Sequence, residues 1–290
     1  MPIVYLNGDF LPLEDAKIPV LDRGFVFGDG VYEVWRVIEG RLFEHSRHDR
    51  RLRRGIQALA LDVPSKDVDA LSGVAARLLE ENELEQGEAT FYLEITRGAA
   101  YPRTHHFPPN GTKPTVFAYV SRFEVPHAAR AAGVKAITQD DVRWLHCDLK
   151  TVQLLPNAMA KQQAHAAGAF EAIFVRDGIV TEGTHTTVLG VKNGELRTHP
   201  LSPLILPSVT REVVIEVARA QGIAVREQPF SKAEMFQLDE LFISGTTTDV
   251  TPIVEVDGRT IGGGKPGPVS LALYAGLQQR LYSGSAVAHR

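Results

Sequence analysis

The chain has 290 residues, 44% of them hydrophobic, with a formal net charge of −4. That length and apolar content support a sizeable core, most naturally in two domains, while the mild acidity gives no general attraction to nucleic acid or to an anionic membrane. The single cysteine, Cys147, excludes an intramolecular disulfide and a cysteine zinc cluster. No apolar run approaches the roughly 18 residues that span a bilayer, and the opening MPIVYLNGDFLPLEDAK lacks the basic and apolar regions of a signal peptide. A cytoplasmic protein is expected. The basic cluster RHDRRLRR at 47–54 reads as a solvated helix face.

In chain order, Asn7-Gly8 in an alternating segment signals a type I′ hairpin. VYEVWRVIEGRLFEH forms a second strand pair turning at Glu39-Gly40. Helical spacing then takes over through Leu52, Ile56, Leu59 and Leu61, and again through Val68, Leu71, Val74, Leu78 and Leu79. Strands are expected at 88–98 and 113–123, joined by the loop AAYPRTHHFPPNGT, whose length suggests a purpose. A proline and a drop in apolar density mark residues 122–128 as a linker, dividing a domain at 1–121 from one at 129–290. Beyond it, GVKAITQDDVRWLHCDL reads as extended chain, with Leu145, Cys147 and Leu149 facing one way and Trp144, His146, Asp148 and Lys150 the other. LLPNAMAKQQAHAAGA is helical and stops at Gly168. Hairpins turn at Asp177-Gly178, Asn193-Gly194 and Asp257-Gly258. TREVVIEVARAQG is a helix with Thr210 at its N-cap and Gly222 after its end. IAVREQPF and DELFISG supply further strand. Both halves mix helix with hairpin-linked strands, an α+β architecture with antiparallel or mixed sheets.

Four features carry possible chemistry. Lys150 ends a strand in an otherwise apolar stretch, WLHCDLKTVQLL, although a surface lysine at such a junction is commonplace. Thr210 opens a helix whose free N–H groups suit an anion, as almost every helix start does. The run SGTTTD at 244–249 offers hydroxyls and amides that suit phosphate or an ordinary turn. Glu182, in TEG, is either a functional acid or one outward glutamate among many. No dinucleotide, P-loop, zinc-protease or nucleophile-elbow motif is present. The histidines at 45, 48, 105 and 106 lack a matching carboxylate or cysteine arrangement, so no metal site is expected.

Taken in order, six blocks resemble the fold-type IV pyridoxal-phosphate (PLP) enzymes, and among them the bacterial D-amino acid (D-alanine) aminotransferases. The blocks are DRGFVFGDGVYEV (22–34), TRGAAYPRTHHFP (96–108), RWLHCDLKTVQLL around Lys150, EAI…VTEGTHTTV around Glu182, LPSVTREVV around Thr210, and FISGTTTDVTP around Thr246. The resemblance runs from the first hairpin to about residue 275. It implies a smaller N-terminal α/β sandwich, a larger C-terminal pseudo-barrel, and PLP held where the domains meet.

By the same resemblance, Lys150 holds the cofactor aldehyde as a Schiff base and later serves as general base and acid. Glu182 faces the pyridine nitrogen. Arg51, in H-x-x-R-L, grips the phosphate together with Val209, Thr210, Gly245 and Thr246; a one-residue slip would give that role to Arg50. Pro102-Arg103-Thr104-His105 supplies the family's P-R-x-H motif, so that Arg103, His105 and Tyr32 hold the substrate carboxylate. The family delivers this loop across a subunit interface, which implies a homodimer. The implied activity is ping-pong transfer of an amino group from D-alanine or D-glutamate to a 2-keto acid. Branched-chain L-amino acid aminotransferase, (R)-amine transaminase and aminodeoxychorismate lyase are the alternatives on this fold, and a PLP-binding protein without turnover lies outside the class. Two departures stand out: a loop one residue longer at 99–101, which could recruit His106, and THTT after Glu182 where serines and an asparagine are usual.

Overall fold

The computed structural model describes residues 1–283; residues 284–290 of the predicted second domain lie outside the described residues. The chain forms two compact units, Met1–Glu124 with Leu149–Gln153, and Val125–Asp148 with Leu154 onward. The sequence alone suggested one continuous block over 129–290. In the structure, the short stretch around Lys150 belongs with the first unit because its backbone pairs there.

The first unit contains β1 (Ile3–Leu6), β2 (Asp9–Pro12), α1 (Arg23–Phe27), β3 (Gly30–Ile38), β4 (Arg41–Leu42), α2 (His45–Ala58), α3 (Ser65–Asp69), α4 (Leu71–Glu81), β5 (Glu88–Thr96) and β6 (Thr115–Arg122). Its strands make one antiparallel sheet in the order β2-β1-β6-β5-β3-β4. Asn7 and Gly8 take φ of 53° and 109°, the positive pair that a type I′ turn requires. One sheet face, carrying Val31, Trp35, Val37, Phe91, Leu93 and Ile95, packs on Leu52 and Ile56 of α2 and on Leu71 and Leu78 of α4. The other face is half-open and carries an aromatic ladder across β3, β5 and β6. Tyr32 stacks on Tyr92 at 5.9 Å, Tyr92 on Tyr119 at 5.0 Å, and Phe117 leans on Tyr119 at 5.8 Å.

The second unit contains α5 (His127–Ala132), β7 (Val134–Asp140), α6 (Leu155–Ala166), β8 (Glu171–Arg176), β9 (Ile179–Gly183), β10 (Thr187–Lys192), β11 (Glu195–Thr198), α7 (Val209–Ala220), β12 (Val225–Arg226), α8 (Lys232–Met235), β13 (Glu240–Gly245), β14 (Asp249–Val256), β15 (Arg259–Thr260) and α9 (Pro268–Tyr282). The sheet runs β12-β11-β10-β13-β14-β7-β8-β9, with β15 on β14. It is mixed, since β7 lies parallel to both β8 and β14, and β11 to β12. Among the described residues, no helix is long and apolar enough to cross a membrane.

Three expectations change. Residues 141–149 form bends rather than strand, so the expected alternation fails: Leu145 is exposed while Cys147 is buried. IAVREQPF contributes only the two residues of β12. The sequence reading missed α9, although Leu273, Leu277 and Leu281 recur every fourth residue and are all buried.

The loop joining β13 to β14 is held from beneath. Gly245 pairs with Asp249, and the Thr248 N–H donates to the Gly245 carbonyl at 3.1 Å, leaving a three-residue threonine loop. Asp249 closes it at φ 51°, a left-handed conformation that aspartate tolerates better than most residues. Its buried carboxylate lies 2.8 Å from Arg130 of α5 and accepts from Gln278 of α9 at 3.1 Å. Removing one partner of a buried ion pair leaves an uncompensated charge, which costs about 3–5 kcal/mol. In urea unfolding, Arg130→Ala is expected to lose that amount. The double variant Arg130→Met/Asp249→Asn, which removes both charges, is expected to recover most of it.

Candidate active site

The apolar row of β3 that faces α2 is broken by one carboxylate, Glu33, which is fully buried. Such a charge persists only if paired and hydrogen-bonded. Arg51 of α2 supplies a fork, Nε to Oε2 at 2.8 Å and Nη2 to Oε1 at 2.6 Å, and His48 Nδ1 stands 3.0 Å from Oε1. Burial alone would raise the Glu33 carboxyl, but the Arg51 and His48 contacts outweigh it and hold the group well below the usual carboxylate range. His48 is pushed down by its own burial, against the pull of Glu33, and the charges of Arg51 and Lys150 push it further. Arg50 is exposed, and Arg51 is the arginine that faces inward to Glu33.

Lys150 lies along β3. Its carbonyl accepts from the Tyr32 N–H at 3.1 Å, the Val152 N–H donates to Gly30 at 3.2 Å, and Thr151 bridges Val31. Nζ then stands 4.0 Å from the centre of the Tyr32 ring. Lys150 is thus half-buried against an aromatic face rather than free on the surface. Of the residues expected to contact substrate, Tyr32 is the one brought to Lys150.

In the second unit, Glu182 at the end of β9 is enclosed. It accepts from the Arg143 guanidinium and from the Leu206 N–H, the latter at 3.0 Å. Burial raises its carboxyl, with Arg143 and the Leu206 amide opposing. Arg143 is itself clamped by Asp141, Nε to Oδ1 at 2.9 Å and Nη2 to Oδ2 at 2.8 Å. Asp141 also takes the Thr181 hydroxyl at 2.9 Å and lies 3.0 Å from Arg176. Sequence reasoning missed this relay of Asp141, Arg143 and Glu182. The contact that completes it joins Arg143 to Glu182, 39 positions away, and no local pattern signals it. Burial pushes the neighbouring Cys147 thiol up to about 11, so it is not a nucleophile at neutral pH.

The expected helix start needs correcting. Ser208, not Thr210, caps α7: its hydroxyl accepts from the Arg211 N–H at 3.2 Å and its backbone is extended. Val209 and Thr210 are therefore the first two helical residues, and both are buried. Their amides belong to the set at a helix start that has no intrahelical acceptor, a stronger anion feature than a cap side chain. Gly245 and Thr246 lie at the threonine loop described above, where the buried Ser244 hydroxyl has no hydrogen-bond partner. The THTT segment is turned to a structural task. The Thr184 and Thr186 hydroxyls donate to the buried Glu171 carboxylate at 2.5 and 2.9 Å, and Asn157 donates to the Thr184 carbonyl at 2.6 Å.

Arg103 and His105 are exposed and lie together against the Phe27 ring, with the Arg103 Cζ 4.3 Å and the His105 ring centre 5.5 Å from its centroid. The structure thus gathers the expected residues into local sets, Lys150 with Tyr32, Arg103 with His105, Val209 with Thr210, and Gly245 with Thr246, while Arg51 is held by Glu33 and Glu182 by the unexpected Arg143.

This donor set fits PLP. It offers an amine for an aldehyde, a buried carboxyl for a ring nitrogen, and helix-start amides with hydroxyls for a phosphate. An antiparallel sheet unit and a mixed sheet unit carrying those groups define an enzyme of the fold-type IV class. Sequence comparison makes the assignment specific, because the family model described as amino-transferase class IV matches residues 30–256. The chain belongs to the class IV aminotransferases, and PLP is its cofactor. It is 39% identical to a D-alanine aminotransferase of Bacillus licheniformis, covering 98% of each chain. It is 38% identical to a D-alanine aminotransferase of Staphylococcus epidermidis, covering 98% of this chain and 100% of the relative. Among solved structures it superposes on the branched-chain amino acid aminotransferase of Escherichia coli with a TM-score of 0.84 at 26% identity, covering 97% of this chain and 93% of the other. A T.th. branched-chain amino acid aminotransferase complexed with N-(5′-phosphopyridoxyl)-L-glutamate gives a TM-score of 0.86 at 25% identity, covering 98% of this chain and 94% of the other.

His48 gives the site a pH signature. Because its folded value lies below the unfolded value of 6.5, its contribution is present above that value and is lost as pH falls through it. Urea midpoints measured from pH 7.5 down to 5 are expected to fall in wild type. In His48→Asn the slope between about 6.5 and 5 is expected to flatten, leaving only the later carboxylate loss at lower pH.

Proposed function

We propose that the enzyme is a D-amino acid aminotransferase, moving the amino group of D-alanine or D-glutamate to a 2-keto acid such as pyruvate or 2-oxoglutarate in a ping-pong cycle. The observation that carries this reading is Arg103 and His105, in a P-R-x-H motif, standing together on an exposed loop of a class IV aminotransferase. The D-alanine aminotransferases that match the chain end to end favour the same reading.

When bound, PLP supplies an electron sink that stabilises negative charge at the substrate α-carbon. The chain's own residues do the rest. Lys150 would hold the cofactor through its aldehyde and, with its amine free, would move the substrate α-proton as a positioned base, an effect of about 10²–10⁴-fold. Tyr32 orients that amine and holds it against an apolar ring. Glu182, raised by burial and steadied by Arg143, is the acid that shares a proton with the ring nitrogen. Val209, Thr210, Gly245 and Thr246 bind the phosphate, with Arg51 adding positive charge. Arg103, His105 and Tyr32 bind the substrate carboxylate.

We also read the enzyme as a homodimer, because the aromatic ladder of Tyr32, Tyr92, Tyr119 and Phe117 and the exposed substrate loop are surfaces that a second copy would use. With one cysteine it suits a reducing compartment such as the cytoplasm. The test is to mix PLP-loaded enzyme with D-alanine and L-alanine separately and follow the cofactor spectrum without a keto acid. D-alanine is expected to convert the cofactor to its amine form, and L-alanine at least 100-fold more slowly. Conversion by L-alanine alone would overturn the D-specific reading.

A further inference from the structure

We propose that Phe27 is a specificity-determining positioning residue, whose ring spaces Arg103 and His105 as a two-point receptor for the substrate carboxylate. This rests on the carboxylate role given to the loop above.

An arginine on an exposed loop has many rotamers, and that freedom is lost when it grips a carboxylate. A receptor that is already ordered avoids that loss. Phe27 provides the order. It occupies the last position of α1, a single helical turn made rigid at both ends. Asp22 caps the start by accepting from the Gly24 N–H at 2.8 Å, and Gly28 closes the end at φ 66°. Arg103 and His105 both rest on this ring.

The backbone between them is fixed as well. Arg23 Nη1 donates to the Thr104 carbonyl at 2.8 Å, midway between the two side chains. Arg23 lies near the same ring, its Cζ 4.5 Å from the centroid, but Asp29 neutralises it through a 2.8 Å contact to Nε. Arg97 grips the same carboxylate, Nε to Oδ2 at 2.8 Å and Nη2 to Oδ1 at 3.0 Å, and stacks on Phe107 at 3.6 Å, pinning the far end of the loop. Arg103 itself makes no ion pair among the described residues. Exposed and without a carboxylate beside it, its guanidinium is available to a ligand.

The arrangement also separates the two histidines of the longer loop. His106 Nδ1 lies 2.9 Å from the Phe107 carbonyl, and the Thr104 hydroxyl donates to the His106 carbonyl at 3.3 Å. His106 is therefore committed to its own loop, and His105 shares the seat with Arg103.

The experiment uses the PLP-loaded enzyme and alanine of whichever hand the wild type converts, so a failure of the D-specific reading registers separately. Phe27→Leu keeps bulk and removes the ring. It is expected to raise KM for alanine, and Ki for D- or L-lactate as an amine-free carboxylate probe, about five- to tenfold, a larger change than that in kcat. Phe27→Tyr is expected to restore both to within about twofold. The double variant Phe27→Leu/Arg103→Leu is expected to be no worse than Arg103→Leu alone, since Phe27 acts through Arg103. A Phe27→Leu enzyme with wild-type cofactor affinity and thermal stability whose KM and Ki stay within twofold would overturn the proposal. Equal losses in kcat, cofactor affinity and stability would overturn it too, by reducing Phe27 to a packing residue. A wild type that converts neither enantiomer would overturn this proposal and the D-amino acid reading together.

Discussion

The site depends on backbone pairing between Leu149–Gln153 and β3. Two backbone hydrogen bonds, from the Tyr32 N–H to the Lys150 carbonyl and from the Val152 N–H to the Gly30 carbonyl, close the bridge between Val31 and Thr151 and fix the backbone of Lys150. A lysine side chain has four rotatable bonds, so its position is defined only if its backbone and one side of its stem are held. Here the strand holds the backbone and the Tyr32 ring holds the ammonium. The bends at 141–149 follow from the same constraint, because the chain must leave the second unit, lie along β3 and return to begin α6 at Leu155.

Two buried charge networks, one in each unit, are tuned in opposite senses. Glu33 is surrounded by donors, so its carboxyl stays ionised and anchors Arg51, while burial pushes His48 down against the pull of Glu33. Glu182 is buried with fewer donors, and burial wins, which raises its affinity for a proton. A fixed carboxylate to organise cations and a second carboxyl poised to share a proton are complementary roles. Which role each residue takes is set by how many donors reach it, not by its type. Within the second unit, Arg130 and Asp249 hold the threonine loop, and Glu171 takes up the Thr184 and Thr186 hydroxyls, so the loops near Glu182 and Thr246 are each tied to a buried carboxylate.

Much of the fold was legible because its turns are chemically explicit. Asn7-Gly8, Asp177-Gly178, Asn193-Gly194 and Asp257-Gly258 all take positive φ at both positions, a local demand that local residues reveal. Gly168 and Gly222 likewise mark helix ends. Lys150 and Glu182 were legible only through the order of the motifs, since a lone lysine or glutamate carries no signal. The relay from Asp141 to Glu182 was not legible, because its final contact joins residues 39 positions apart. The exchange of Ser208 for Thr210 at the α7 cap reflects two hydroxyl residues two positions apart, either of which satisfies the sequence rule. Only the extended backbone at Ser208 decides between them. The false strand at 141–149 arose from a chance alternation of apolar and polar residues, broken in the structure by the demands of Arg143 and Cys147.

The central claim is that Lys150 is the amine that holds the cofactor. Borohydride reduction of the PLP-loaded enzyme, followed by proteolysis and mass mapping, tests it directly. The account predicts a phosphopyridoxyl mass on the peptide containing Lys150 and on no other. The same mass on a peptide containing Lys161 or any other lysine, with the Lys150 peptide unmodified, would contradict it.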